Sequence, residues 1–220
     1  MDEERYAEQM VRYMAERDFG IYMRYINPEL EMTKCHRSYY AILNKFAHKE
    51  IRKLIISAPP QFGKSLGSSR GLPSFLMGTR PSDNIVIGSY NTELARTFNS
   101  DVQRMMREEA YGAVFPYTII SDGRENREYK CNADETQVVG EDGSGLRVVG
   151  RGSSLTGRKV DVMIMDDLYK DYNEASSPIV RNKTWRWYTS VVLSRLQDWG
   201  QQLMVFTRWN EDDLIGRIMQ

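Results

Sequence analysis

The chain has 220 residues, 41% of them apolar and 27% charged, which suits one substantial α/β domain with a buried core and excludes long disorder or a fibre. Lys plus Arg equals Asp plus Glu, 30 against 30, so charge alone gives no case for a polyanionic partner, although a local basic patch remains compatible with it. Cys35 and Cys131 lie far apart with no Cys-x-x-Cys, and His36 and His48 lack metal-ligand spacing, which argues against a disulfide framework and a zinc site.

No apolar run reaches the roughly 20 residues that span a bilayer. The start, Met1-Asp2-Glu3-Glu4-Arg5, lacks the charge and apolar order of a signal peptide. An intracellular protein with two reduced thiols is expected.

Residues 3–26 are rich in Glu, Arg, Met and Tyr and predict one or two helices, punctuated by Asn27-Pro28. Residues 33–48 predict another, with Tyr39, Tyr40, Ile42, Leu43 and Phe46 forming an apolar stripe. The rhythm then changes. Residues 51–57 form a short apolar run ending in Pro-Pro and Gly, and read as a buried strand. A helix over 64–77, a strand over 84–90 and a helix over 92–110 follow. The Gly-rich stretch 117–157 predicts a β-hairpin turning at Glu141–Gly145, with arms at Thr136–Gly140 and Leu146–Gly150. Residues 160–165 are a third buried strand, 177–196 a helix, 202–207 a fourth strand and 212–220 a last helix.

Strands alternating with helices, the strands continuously apolar, predict an α/β fold whose mainly parallel sheet is covered on both faces. Crossovers are then right-handed, and ligands bind beyond the carboxyl ends of the strands. The chain is read as a single domain, with residues 1–48 a helical segment packed on a core of residues 49–220 and the hairpin as an insertion.

The motifs fall at those strand ends. Ala58-Pro59-Pro60-Gln61-Phe62-Gly63-Lys64-Ser65 follows a strand and opens a helix, as a phosphate-binding loop does. Ala58 stands where the first Gly belongs, and Pro59-Pro60 restricts φ in its place. Backbone N–H groups at the helix start face an anion. Gly63 permits close approach, Lys64 places a charge on β/γ phosphates and Ser65 offers a hydroxyl to Mg²⁺. Residues 59–65 are thus the nucleotide-binding set, with ATP and Mg²⁺ as the implied cofactors. The alternative is a chance Gly-Lys-Ser at a helix start.

Val162-Met163-Ile164-Met165 leads into Asp166-Asp167. A P-loop ATPase needs one carboxylate for the Mg²⁺ shell and another to polarise the attacking water. Asp166 suits the first role and Asp167 the second, one methylene shorter than the commoner Glu. The alternative is a pair of solvated acids ending a strand. Arg181, Lys183, Arg186 and Arg195, with Trp185, Trp187 and Tyr188 among them, could form a nucleic-acid surface, but an apolar core side and a solvated basic side are the favoured reading.

Together these segments resemble the ATPase domain of phage large terminases, over most of residues 33–219. The loop Ala58–Ser65 is similar to that family's variant Walker A. Ser89-Tyr90-Asn91-Thr92-Glu93-Leu94-Ala95-Arg96 is similar to its segment after the second strand. Leu155-Thr156-Gly157-Arg158, Val162–Asp167, Lys170-Asp171 and Glu174-Ala175-Ser176 resemble its Walker B region. Ser194-Arg195-Leu196 and Thr207–Leu214 resemble its coupling motif, with Asn210 where His is common.

The resemblance implies a P-loop NTPase of ASCE/RecA-like type that hydrolyses ATP to drive double-stranded viral DNA into a procapsid. It implies a portal protein or procapsid and a small terminase subunit as partners, and a homo-oligomeric, pentamer-like ring in the host cytoplasm, with no membrane. It implies Arg158 as the charge-stabilising arginine acting on a neighbouring subunit, with Arg151 second. Gln61 and Phe62 stand where an arginine often lies in the loop. Thr207 is implied as the coupling residue, and the segment Met32–Tyr40, with His36 and Tyr40, as the source of base contacts. A strand-terminal Thr is the alternative for Thr207, and surface or packing roles are the alternatives for the others. The family's nuclease domain, with its metal-binding carboxylates, has no room here, so no nuclease activity is expected. Other readings are a helicase-type motor, a nucleotide-binding scaffold with little turnover, or a small-molecule phosphotransferase with residues 117–157 as its lid.

Overall fold

The computed structural model describes residues 2–155, 157 and 159–220. Three helices come first: α1 (Asp2–Ala15), α2 (Phe19–Ile26) and α3 (Lys34–Ala47). Asp18 caps α2 by accepting from Ile21 N, and Thr33 caps α3 by accepting from His36 N. Of the one or two helices expected over residues 3–26, two form.

Strand β1 (Lys53–Ser57) leads through the Gly-Lys-Ser loop into a helix that is π-helical over Leu66–Gly71 and continues as α4 (Leu72–Thr79). Next come β2 (Asn84–Ser89), α5 (Thr92–Arg107), α6 (Glu109–Val114), β3 (Glu135–Thr136), β4 (Gly145–Gly150) and β5 (Val160–Asp166). The chain then forms α7 (Tyr172–Ser176) and α8 (Pro178–Trp187), a π-helical turn (Tyr188–Val192), α9 (Leu193–Arg195), β6 (Leu196–Phe206) and α10 (Leu214–Ile218).

The described strands form one sheet in the order β1-β6-β5-β2-β4-β3, parallel throughout except for β3 against β4. The hairpin is present but short, pairing Glu135 with Arg147 and Thr136 with Leu146. Its second arm, β4, is a full parallel neighbour of β2, so the hairpin extends the main sheet instead of standing apart from it. The fourth expected strand begins six residues early. Its pairing jumps from Leu196 opposite Val160 to Gln201 opposite Val162, leaving residues 197–200 as a bulge. The apolar reading of residues 202–207 missed this polar first half.

Period-two alternation sorts the strand residues between two cores. Ile85, Ile87, Val162, Ile164, Leu203 and Val205 face α2 to α6, where Phe19, Tyr22, Tyr40, Phe46, Phe75 and Phe115 pack together. Val86, Val149, Met163, Met165, Met204 and Phe206 face Trp187, Tyr188 and Val192, with Leu155 and Leu214. Two-sided burial explains why the strands read as continuous apolar runs. Strand β1 is the exception. It lies at the sheet edge, and Lys53, Ile55 and Ser57 are exposed on one face.

One glycine fixes how α3 meets the loop helix. A Cβ at Gly67 would lie 2.7 Å from the Cε1 atoms of both Tyr39 and Tyr40, which have little room to move in the core. Gly67→Ala gains helix propensity of about 1 kcal/mol but must displace two rings. A net loss of roughly 1–3 kcal/mol is expected. Chemical denaturation measures it, and a neutral or stabilised variant would contradict the contact.

Candidate functional site

Strand β6 lies between β1 and β5, so the carboxyl ends of these three strands open side by side. Ser57 pairs with Phe206, and Asp166 with Val205. The backbone N–H of Ala58 reaches Phe206 O at 3.3 Å, and that of Asp167 reaches Val205 O at 3.1 Å. The residues just beyond the strands therefore share one level: the loop after β1, Asp167 after β5 and Thr207 after β6.

Lys64 stands at their meeting point. Its Nζ donates to Asp167 Oδ1 at 3.0 Å and to Thr207 Oγ1 at 2.5 Å. Asp167 Oδ1 also accepts from Thr207 N at 3.1 Å. Thr207 Oγ1 approaches Ala58 O at 3.4 Å, closing the circuit back to the loop. Asp167 itself is left-handed, with φ of 44°. A non-glycine residue held there marks a strained position of the kind that gathers at working sites. Its own carbonyl is held by Tyr90 N at 3.2 Å.

The loop is shaped for an anion. Gln61 and Gly63 are both left-handed, with φ of 62° and 69°, and left-handed residues set among right-handed ones form concavities of N–H groups. Helix begins at Lys64. Pro60, Gln61, Phe62, Gly63, Lys64 and Ser65 line one side of an open cleft of about 460 Å³. Asp167, Thr207, Tyr90, Tyr169, Lys170 and Trp209 line the rest, with Leu66, Leu94 and Arg70. Pro59 is exposed beside it.

Asp166 is fully buried at the end of β5. Burial pushes its carboxyl up to about 6, a rise that neighbouring Asp167 adds to and that Ser69, Ser65 and Lys64 oppose. Ser69 Oγ donates to Asp166 Oδ2. The other oxygen, Oδ1, is buried and has no protein partner. Ser65 also lies close enough to the carboxyl to lower its pKa. An orphaned carboxylate oxygen beside a hydroxyl is a hard-oxygen donor set that fits Mg²⁺. Among the described residues no group of three or more His, Cys, Asp or Glu could hold a metal unaided. Mg²⁺ suits such a place, since it keeps waters and shares few carboxylates with substrate phosphates.

The remaining expectations divide. Arg158 lies outside the described residues, as does Thr156. Arg151 is an internal brace: its Nη1 donates to Leu168 O at 2.6 Å and to Glu174 Oε2 at 2.9 Å. Lys170 N donates to the same Glu174 oxygen at 3.1 Å, so Arg151 fixes the chain that follows Asp167. Tyr40 is buried in the core and is not free to meet a base. His36 is half-buried, against Phe62 at 6.2 Å between ring centroids.

Trp187 and Tyr188 are core, and Arg181 is tied to Asp212 at 3.0 Å. Lys183, Arg186 and Arg195 are exposed, as either a solvated face or a nucleic-acid surface requires. The segment after Thr207 braces itself. Arg208 pairs with Asp213 at 2.6 Å, Asp213 caps α10, and Leu214 N donates to Tyr169 Oη at 3.1 Å. Tyr39 and Ser69 were missed: Tyr39 Oη donates to Lys64 O at 2.6 Å. Tyr39 read as one more apolar-stripe residue. The polar pair Ser68-Ser69 beside Lys64-Ser65 was a signal for the second.

A phosphate loop at the edge strand of a parallel sheet, faced by paired acids and a strand-end threonine, defines a P-loop nucleotide-binding fold. Residues 55–214 match the family described as terminase large subunit, T4likevirus-type, N-terminal, and the chain belongs to that family. Among solved structures it is similar to the large terminase ATPase domain of Thermus phage P74-26, with 18% identity and a TM-score of 0.44. It is also similar to an arginine-to-alanine mutant of that domain, with 19% identity and a TM-score of 0.46. In both cases 70% of this chain is covered, and it spans 59% of the other. No curated protein matches the sequence.

The pKa of Asp166 yields a stability prediction with a definite sign. The unfolded carboxyl ionises near 3.8 and the folded one near 6. Below 3.8 burial carries no charge penalty. Between the two values the folded protein holds the extra proton, so stability falls as pH rises, and above about 6 the full penalty applies, on the order of 3 kcal/mol. Without divalent metal, Asp166→Asn is therefore expected to be more stable than the parent at pH 8, with the gain vanishing near pH 4. Denaturation across that range checks it, and a pH-independent difference would rule the penalty out.

Proposed function

We propose that this chain hydrolyses ATP with Mg²⁺ and couples hydrolysis to movement of double-stranded viral DNA into a procapsid, as the motor part of a terminase large subunit. The observation that carries this reading is the meeting of Lys64, Asp167 and Thr207 in one hydrogen-bonded circuit. It joins the phosphate loop, the proposed base Asp167 and the strand end that leads into the coupling segment.

Residues 59–65 bind the phosphates through backbone N–H groups and Lys64. Ser65 and Asp166 would hold Mg²⁺, which would supply positive charge to offset that of the phosphates. Phosphate oxygens compete for the donors of Lys64 that Asp167 and Thr207 occupy. As Lys64 turns to the nucleotide, Asp167 is released to accept a proton from the attacking water. Thr207, hydrogen-bonded to the same lysine, reports that change to β6 and, through Arg208–Asp213 and Leu214–Tyr169, to α10.

Arg158 completes the site of a neighbouring copy in a ring, so turnover depends on assembly. DNA, a portal or procapsid and a small terminase subunit are the partners proposed on family grounds, with the host cytoplasm as the setting. Residues 1–48 serve as a helical segment packed on the motor core. A nucleotide-binding scaffold with little turnover is the second reading, favoured by the same Lys64–Asp167 pair, which engages the base in this arrangement.

Steady-state hydrolysis across a wide range of protein concentration tests the proposal. Activity per chain should rise with concentration. Lys64→Ala should lose nucleotide binding. Asp167→Asn and Thr207→Val should bind nucleotide within a few-fold of the parent yet turn over at least tenfold more slowly, and Arg158→Ala should abolish the rise with concentration. Binding without turnover at every concentration, with DNA present, would establish the scaffold instead.

A further inference from the structure

We propose that Ser69 is a positioning residue for the metal carboxylate: its hydroxyl fixes Oδ2 of Asp166 so that Oδ1 is presented to the Mg²⁺ that accompanies a nucleotide. This rests on the nucleotide site proposed above.

Three observations combine. First, Ser69 and Asp166 are both completely buried, and they meet across the interface between the loop helix and β5. Ser69 has one hydroxyl hydrogen, and Asp166 Oδ2 takes it. Its neighbour Ser68 cannot substitute, because Ser68 Oγ donates to Lys64 O at 2.8 Å.

Second, Ser69 is the protein donor on that carboxylate, while Oδ1 is buried without a partner. Buried polar atoms are nearly always satisfied, and an orphan calls for a missing ion or water. One oxygen tied and one free is the arrangement of a ligating carboxylate oriented by an outer partner.

Third, the backbone is bent to put Ser69 there. Lys64 O accepts from both Tyr39 Oη, at 2.6 Å, and Ser68 Oγ, at 2.8 Å. The helix widens into a π turn over Leu66–Gly71, and Leu72 N bonds five residues back to Gly67 O. Such widened turns are concentrated at functional sites. Here the wide turn sets a serine, where a helix core would ordinarily carry an apolar side chain, against the metal carboxylate.

The test uses the full chain and a fluorescent N-methylanthraniloyl ATP analogue, titrated in EDTA and then against rising Mg²⁺. Ser69→Ala removes the donor. Ser69→Cys keeps nearly the same volume with a much weaker donor, and carries the comparison if the alanine variant is poorly folded. Ser69→Thr restores the hydroxyl. Binding in EDTA should stay within about twofold of the parent in all three. The Mg²⁺ concentration giving half-maximal enhancement should rise about tenfold or more in the Ala and Cys variants, and return most of the way in Thr.

If Ala and Cys respond to Mg²⁺ as the parent does, Ser69 does not position the ligand. If they lose binding equally in EDTA and in Mg²⁺, Ser69 only packs the loop, and the proposal is overturned as well. A parent chain with no Mg²⁺ response would remove the metal–nucleotide site itself, and this inference with it. That result is distinct from variants that match a responsive parent.

Discussion

The placement of β6 between β1 and β5 is the constraint on which the site depends. Neighbouring strands in a sheet lie about 4.8 Å apart, so three adjacent strand ends bring their next residues within reach of one lysine. Lys64 is thereby joined to Asp167 across 103 positions of sequence and to Thr207 across 143. If β5 lay directly beside β1, Thr207 would not stand between them. The remaining architecture supports this order. Helices α2 to α6 cover one face and α8 with its π-helical extension covers the other, and the cleft lies at the carboxyl edge.

The two acids at that edge are neighbours in sequence but not in environment. Asp166 is the last residue of β5, pointing into the interior, where burial favours its neutral form and one oxygen has no partner. Asp167 is one residue further on, turned by a left-handed backbone into the cleft and paired with Lys64. The alternating direction of side chains along a strand separates them: one acid is buried in the interior and the other reaches the cleft. The strain at Asp167 is held by hydrogen bonds on both sides, from Tyr90 N to its carbonyl and from its own N–H to Val205 O.

Much of this was legible in the sequence because it is local. The Gly63-Lys64-Ser65 loop, the apolar run ending in Asp166-Asp167 and the strand ending at Thr207 all announced themselves by composition and spacing. The burial of Trp187 and Tyr188 beside exposed Lys183 and Arg186 also followed from helical periodicity. Other features left no such trace. Arg151 reads as a candidate finger until Glu174 and Leu168 are seen to hold it. The hairpin reads as an insertion until β4 is seen pairing along its length with β2. The first half of β6 is polar and bulged, so periodicity could not find it.

By itself the sequence determined the elements, the two-sided burial of the strands and the chemistry at their ends, because hydrophobic period, glycine and proline act over a few residues. The tertiary structure alone decided the strand order, the coming together of Lys64, Asp167 and Thr207, and the roles of Tyr39 and Ser69. Those depend on which distant strands pair, and on contacts such as Tyr39 Oη to Lys64 O that join separate parts of the chain. No local pattern encodes such contacts; they exist only once the sheet has closed around them.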